Sequence, residues 1–161
     1  MADDNSLRNF ATLFRNSAPY INAFRGRTFV VVFSGEALAA ANFDSLVHDF
    51  ALLHTLGIRL VLVYGARPQI EKRLQEQHIA TPIHHNVRVT GSDALQCVKQ
   101  AVGAARTEIE ALLSMGLANS PMAGVRLRVT SGNFVIAKPY GIRDGIDYLH
   151  TGEVRRIDAP A

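Results

Sequence analysis

The chain has 161 residues, 48% of them hydrophobic, and a formal charge of +3 from 17 basic and 14 acidic residues. That suffices to bury a core of ordinary domain size, though the chain need not be a whole domain. The basic residues form no stripe and no aromatic platform, which argues against nucleic acid; no apolar run approaches membrane-spanning length; and the single Cys97 rules out an internal disulfide. The opening MADDNSLRNF has no apolar signal core, so a reducing cytoplasm is the expected compartment.

The first element is an amphipathic helical arm over 1–26, with Leu7, Phe10 and Phe14 at helical spacing. Ser17 and Pro19 read as a new helix start or a sharp kink within it. With no sheet yet to cover, the arm packs either on its own core or on a neighbouring subunit.

A β-branched strand over 28–33 follows, ending in the small-residue turn Ser34-Gly35. A helix over 42–56 comes next, with Asn42 as N-cap, Gly57 as stop, and Phe43, Leu46, Val47, Phe50 and Leu53 on its buried face. A second apolar strand over 58–64 completes a βαβ unit, expected to be right-handed with parallel strands. The loop Gly65-Ala66-Arg67 then leads into a helix with Pro68 at its first position. Both strands aim their carboxyl ends, where open α/β sheets bind ligands, at small-residue loops. Such a loop can offer backbone N–H groups to a phosphate.

The polar stretch 79–90, with Pro82 and His84-His85, reads as a hairpin or lid beside that site. The longest helix starts at Thr90 or Ser92, with Asp93 available for a capping box, and ends before Gly116. Its seam is expected to run through Leu95, Val98, Val102, Ala105, Ile109 and Leu112. Short antiparallel strands are expected over 125–129, 134–136 and 141–158.

Isolated chemical signals are weak. His84-His85 lacks the Cys or carboxylate partners of a metal site, so no metal is expected. His48 and Asp49 are adjacent on a helix and face different directions. Ser34 has no base nearby in sequence. The Gln100 to Ala105 segment, QAVGAA, fits a Gln-x-x-Gly-x-Ala phosphate loop, but it falls inside the long helix, where its N–H groups are already bonded.

The runs RNSAPYINAFRGRTFVVVFSGEAL, VLVYGARPQIE, HHNVRVT and YLHTGEVRRID together resemble the amino-terminal domain of the bacterial N-acetylglutamate synthases, amino-acid N-acetyltransferases of arginine biosynthesis. The resemblance implies an α/β fold of the amino-acid-kinase type, a three-layer sandwich with a mainly parallel central sheet behind an N-terminal helical arm. It divides the chain into the arm, 1–26, and the amino-terminal portion of the kinase-like domain, 27–161. The chain would stop before the second half of that domain and before the acetyltransferase domain. The closing Ala159-Pro160-Ala161 departs from the helical continuation of the family.

In the related amino-acid kinases the first strand and loop carry a Lys followed by two glycines, which hold the transferred phosphoryl group. Here Val32 stands in place of that Lys. Phosphoryl transfer depends on positioned positive charge, so the loop is expected to bind and position rather than catalyse. Ala66 and Arg67 replace glycines of the second loop and narrow it. The resemblance makes Ser34, Gly35, Gly65, Ala66 and Arg88 candidate ligand-binding residues. Arg88 matches the Arg that grips an α-carboxylate in the kinases, unless it pairs instead with a carboxylate such as Glu36. In arginine-inhibited relatives the arm joins subunits and contributes to the feedback site. Tyr20, with Phe10 and Phe14, is thus a candidate for arginine sensing or assembly, or an aromatic plug where arm meets core.

The expected function is that of the regulatory and assembly part of such a synthase, the front half of its kinase-like domain, inactive alone and without catalytic residues or cofactor of its own. In the complete enzyme acetyl-CoA is the co-substrate, L-arginine the effector, and the arm a route to a homo-oligomer. The alternatives are a kinase of the acetylglutamate kinase type, or a scaffold subunit for a separate acetyltransferase.

Overall fold

A computed structural model describes residues 4–115, 124–125 and 127–158. The chain divides into two compact units, one built from residues 4–32, 41–63, 124–125 and 127, the other from 33–40, 64–115 and 128–158.

The first unit opens with α1 (Asp4–Phe24), one helix with Pro19 inside it. Ser17 therefore starts no second helix. Its hydroxyl donates to Leu13 O at 2.9 Å, the bond of a residue inside a helix rather than of a cap. Leu7, Phe10, Leu13, Phe14, Tyr20 and Phe24 are all exposed. Phe10 and Phe14, one turn apart, stack with centroids 6.1 Å apart.

Strand β1 (Thr28–Phe33) agrees with the expected bounds, and β2 (Arg59–Tyr64) begins one residue later than expected. Arg59 N donates to Arg27 O at 2.9 Å and Gly65 N to Phe33 O at 3.0 Å, the same offset at both ends, so the pair is parallel. The helix between them, α3 (Phe43–Thr55), buries Phe43, Val47, Phe50 and Ala51. Asn42 occupies its N-cap position but makes no side-chain cap bond. Gly57 follows the helix at φ +86°, a conformation that favours glycine, and its carbonyl accepts from Gly26 N at 2.8 Å.

The second unit contains a four-residue helix, α2 (Gly35–Leu38), which follows directly from the expected turn at Ser34-Gly35, and α4 (Arg67–Glu76), in which Pro68 is the second residue rather than the first. The polar stretch forms a hairpin of β3 (Ile83–His84) and β4 (Val87–Arg88). His85 and Asn86 at its turn both have positive φ, 48° and 65°, which suits the type I′ geometry of tight hairpins.

Helix α5 (Ser92–Ser114) starts from Gly91, which has no side chain for the expected capping box. Its end agrees with the expected stop, though Gly116 itself lies outside the described residues. The buried face runs through Ala94, Cys97, Ala101, Ala105, Ile109 and Leu113; Ala105 and Ile109 were expected there, whereas Leu95, Val98 and Leu112 are only partly buried and Val102 is exposed. Small residues let α4 come close: Leu74, Ala94 and Cys97 form a buried cluster with Ile70 and Ile79 against it.

Strands β5 (Val135–Pro139) and β8 (Gly152–Ile157) pair antiparallel with a register shift between Ile136 and Ala137, and β6 (Ile142–Arg143) pairs antiparallel with β7 (Ile146–Asp147). The strand expected over 125–129 is not formed: Arg126 lies outside the described residues, and its described neighbours belong to no strand. In this region β5 takes β8 as its partner, and Ser131 Oγ bonds Glu110 Oε1 at 2.6 Å instead of a ladder forming. The closing Ala159-Pro160-Ala161 also lies outside the described residues.

Tyr148, fully buried, ties the hairpins to the start of α5. Its backbone carbonyl accepts from Thr90 N at 3.4 Å, and His150 N donates to Thr90 O at 3.0 Å. Tyr140 meets the Tyr148 ring edge-on at 4.7 Å.

Candidate functional site

The loops after β1 and β2 meet at Gly35 and Gly65. Gly65 N continues the strand ladder by donating to Phe33 O, and the Gln69 side chain, from the first turn of α4, reaches back to donate from Nε2 to Gly35 O at 2.8 Å. Gly35 is buried because three groups converge on it. A Cβ there would lie 2.6 Å from Gln69 Oε1, 2.7 Å from Pro68 Cδ and 3.0 Å from Gly65 O. Glycine is required at 35 by close approach, not by an unusual φ.

The loop carries its own anion. Glu36 is held below the usual carboxylate range, chiefly by a hydrogen bond from the Ser34 hydroxyl, then by its own backbone N–H, with burial opposing weakly and the Arg67 charge assisting. Ser34 is exposed and makes no side-chain cap bond to α2. The group at the head of this loop is thus a carboxylate from the chain itself. Val32, in the strand before it, is 73% exposed.

Arg67 and Arg88 are both committed to partners around the hairpin. Arg67 donates from Nη1 to Asn86 Oδ1 at 3.0 Å and from Nη2 to Asn86 O at 2.9 Å, a fork that fixes the turn. Ala66, next to it, occupies the N-cap position of α4, and its carbonyl accepts from Ile70 N at 2.9 Å. Arg88 donates to Glu71 and to Thr81. Its carboxylate partner is therefore Glu71 rather than Glu36. The backbone carbonyl of Arg88 also accepts from the Thr151 hydroxyl at 2.5 Å.

Ser34, Gly35, Gly65, Ala66 and Arg88 all fall in the second unit, whereas Phe10, Phe14 and Tyr20 are exposed residues of α1 in the first. Gln69 and Glu71 had no sequence signal of their own, since each works through a partner distant in the chain. The Gln100 to Ala105 segment lies inside α5. His84 is in β3, and the His85 ring faces Asp144 at 3.9 Å, both side chains exposed. Among the described residues, no group of three or more His, Cys, Asp or Glu side chains is placed to hold a metal ion. No described helix is long and apolar enough to cross a membrane.

Comparison with known proteins adds the wider context. Residues 27–161 match the amino acid kinase family. The chain is 56% identical over 152 residues to an amino-acid acetyltransferase of Ectopseudomonas mendocina, covering 94% of this chain and 35% of that protein. It is 55% identical over 148 residues to the amino-acid acetyltransferase of Edwardsiella ictaluri, covering 92% and 34%. Among solved structures it resembles N-acetylglutamate synthase from Neisseria gonorrhoeae in complex with coenzyme A and L-arginine, with 34% identity and a TM-score of 0.79 over 94% of this chain and 35% of that one. The chain spans about a third of the length of these relatives.

Proposed function

The chain belongs to the amino acid kinase family, and from that premise we propose that it is the regulatory and assembly part of an N-acetylglutamate synthase rather than a kinase. The complete protein would transfer acetyl from acetyl-CoA to L-glutamate, the first step of arginine biosynthesis, with L-arginine as feedback effector. The observation that carries this reading is the similarity to amino-acid acetyltransferases at 54–56% identity, across 92–94% of this chain and only 33–35% of theirs. Acetyl-CoA chemistry is assigned outside these residues, and no cofactor is assigned to them. The cytoplasm is the proposed compartment.

The site geometry supports a non-catalytic role. A phosphoryl-transfer loop works by concentrating positive charge on the phosphate. Here Val32 is apolar, Glu36 adds a negative charge, and Arg67 and Arg88 are already paired. Ser34, Gly35, Gly65, Ala66 and Arg88 then serve to receive or mimic a ligand without turning it over.

Assembly is proposed to run through α1. Its exposed Leu7, Phe10, Leu13, Phe14 and Tyr20 form an apolar face of the kind that marks a protein interface, and a homo-oligomer is the proposed occupant. Light scattering coupled to chromatography tests this over a range of concentrations. Concentration-dependent association of the wild type, lost in the Phe10→Ser, Phe14→Ser double variant, is expected. A monomer at every concentration contradicts it.

A further inference from the structure

Gln69, in the first turn of the helix that follows the Gly65 loop, reaches the Gly35 loop and is held by little. Its Nε2 donates to Gly35 O at 2.8 Å, while its Oε1 is buried with no hydrogen-bond partner among the described residues. Flipping the amide gives no relief, because Oε1 would then face Gly35 O, acceptor against acceptor. Gly35 therefore dictates the orientation, and Oε1 fills the space a side chain at 35 would need. Pro68 Cδ and Gly65 O close the other sides, and a Cβ on Gly65 would stand 3.5 Å from Gly35 N. No ligand-sized gap is left between the two loops at this point.

One neutral hydrogen bond favours this arrangement, and the burial of an unpartnered oxygen opposes it. We propose that Gln69 is a positioning residue that latches the loop at Gly35 to the loop at Gly65, and that a ligand lying between them must displace its carboxamide. A ligand that does so exposes Oε1 as an acceptor, and one carrying an N–H or O–H donor is favoured over a bare anion. That a ligand comes here rests on the function proposed above. That Gln69 holds the loops together does not, so the test uses no ligand.

The test is hydrogen exchange on the purified chain, expressed as protection relative to wild type at the same pH. Gln69→Ala is expected to lower protection at Gly35–Leu38 and at the Gly65 and Ala66 amides by roughly tenfold, leaving Ser92–Ser114 unchanged. Gln69→Glu keeps the shape but cannot donate while ionised. It is expected to behave like Gln69→Ala at neutral pH and to regain protection at acid pH, where the protonated carboxyl donates to Gly35 O again. Unchanged protection in Gln69→Ala overturns the latch. So does a loss spread equally through Ser92–Ser114, or a Gln69→Glu variant whose protection relative to wild type is independent of pH; this last readout stands even where Gln69→Ala does not fold.

Discussion

Arg88 and Glu71 form an ion pair between β4 and α4 in which the Arg88 side chain is only 12% exposed. Thr81 takes a second donor of the same guanidinium. Removing one partner from such a pair strands a desolvated charge, whereas removing both leaves none. Glu71→Ala is expected to destabilise the chain by about 1–3 kcal/mol. The Glu71→Leu, Arg88→Met pair of substitutions should recover most of that loss. Urea unfolding of the single and double variants measures the coupling. Losses that simply add would mean that the two side chains do not support each other.

Glu153 gives the β-rich end a pH dependence of known sign. It accepts from Lys138 Nζ and Arg143 Nη2, both at 2.9 Å. Its pKa is lowered, first by the Lys138 hydrogen bond, against a smaller opposing effect of burial, with the Arg143 charge following. A folded value below the unfolded one stabilises the fold above the ordinary carboxylate range, and that contribution disappears as pH falls through the lowered value. Lys138→Met is expected to move the Glu153 titration, followed by carboxyl NMR, back toward the ordinary value. An unmoved titration curve contradicts the assignment.

Tyr20 is 68% exposed on α1, so its aromatic ring is free for a role beyond the first unit's own core. In the complete synthase proposed above, Tyr20→Ala is expected to weaken arginine inhibition more than acetyl transfer. A coupling of ~1–3 kcal/mol between effector and active site corresponds to a shift of roughly 5- to 150-fold in the arginine response. Arginine titrations of both proteins, each checked for assembly state, make the comparison. Superimposable curves with the oligomer intact would leave Tyr20 as a packing residue.

Local signals were legible in the sequence and long-range ones were not. The β1 run TFVVVF is bounded by Gly26 and Ser34, so its limits could be read directly, and Gly57 marked the end of α3. On α5 the expected seam met the buried face at Ala105 and Ile109, but elsewhere lay one position to the side of it. Val98 and Val102 carry more hydrocarbon than Ala94 and Ala101, yet the close approach of α4 selects the smaller residues. At Pro19 local propensity favours a new start, yet the helix continues through it. In the candidate site, the glycines at 35 and 65 were visible as small residues at strand ends. Gln69 and Glu71 were not, because their roles depend on Gly35, 34 residues away, and on Arg88, 17 residues away.

The most direct test of the non-catalytic reading is turnover by the purified chain in two assays run side by side. One follows ADP release from ATP with N-acetyl-L-glutamate, the other CoA release from acetyl-CoA with L-glutamate. Neither should exceed a boiled control, and Val32→Lys should not restore ADP release, because Glu36 still sets a negative charge at the loop and Arg88 remains paired with Glu71. ADP release above the control would make the chain a working kinase, and CoA release above it would place acetyl transfer within these residues; either contradicts a regulatory and assembly role without catalysis.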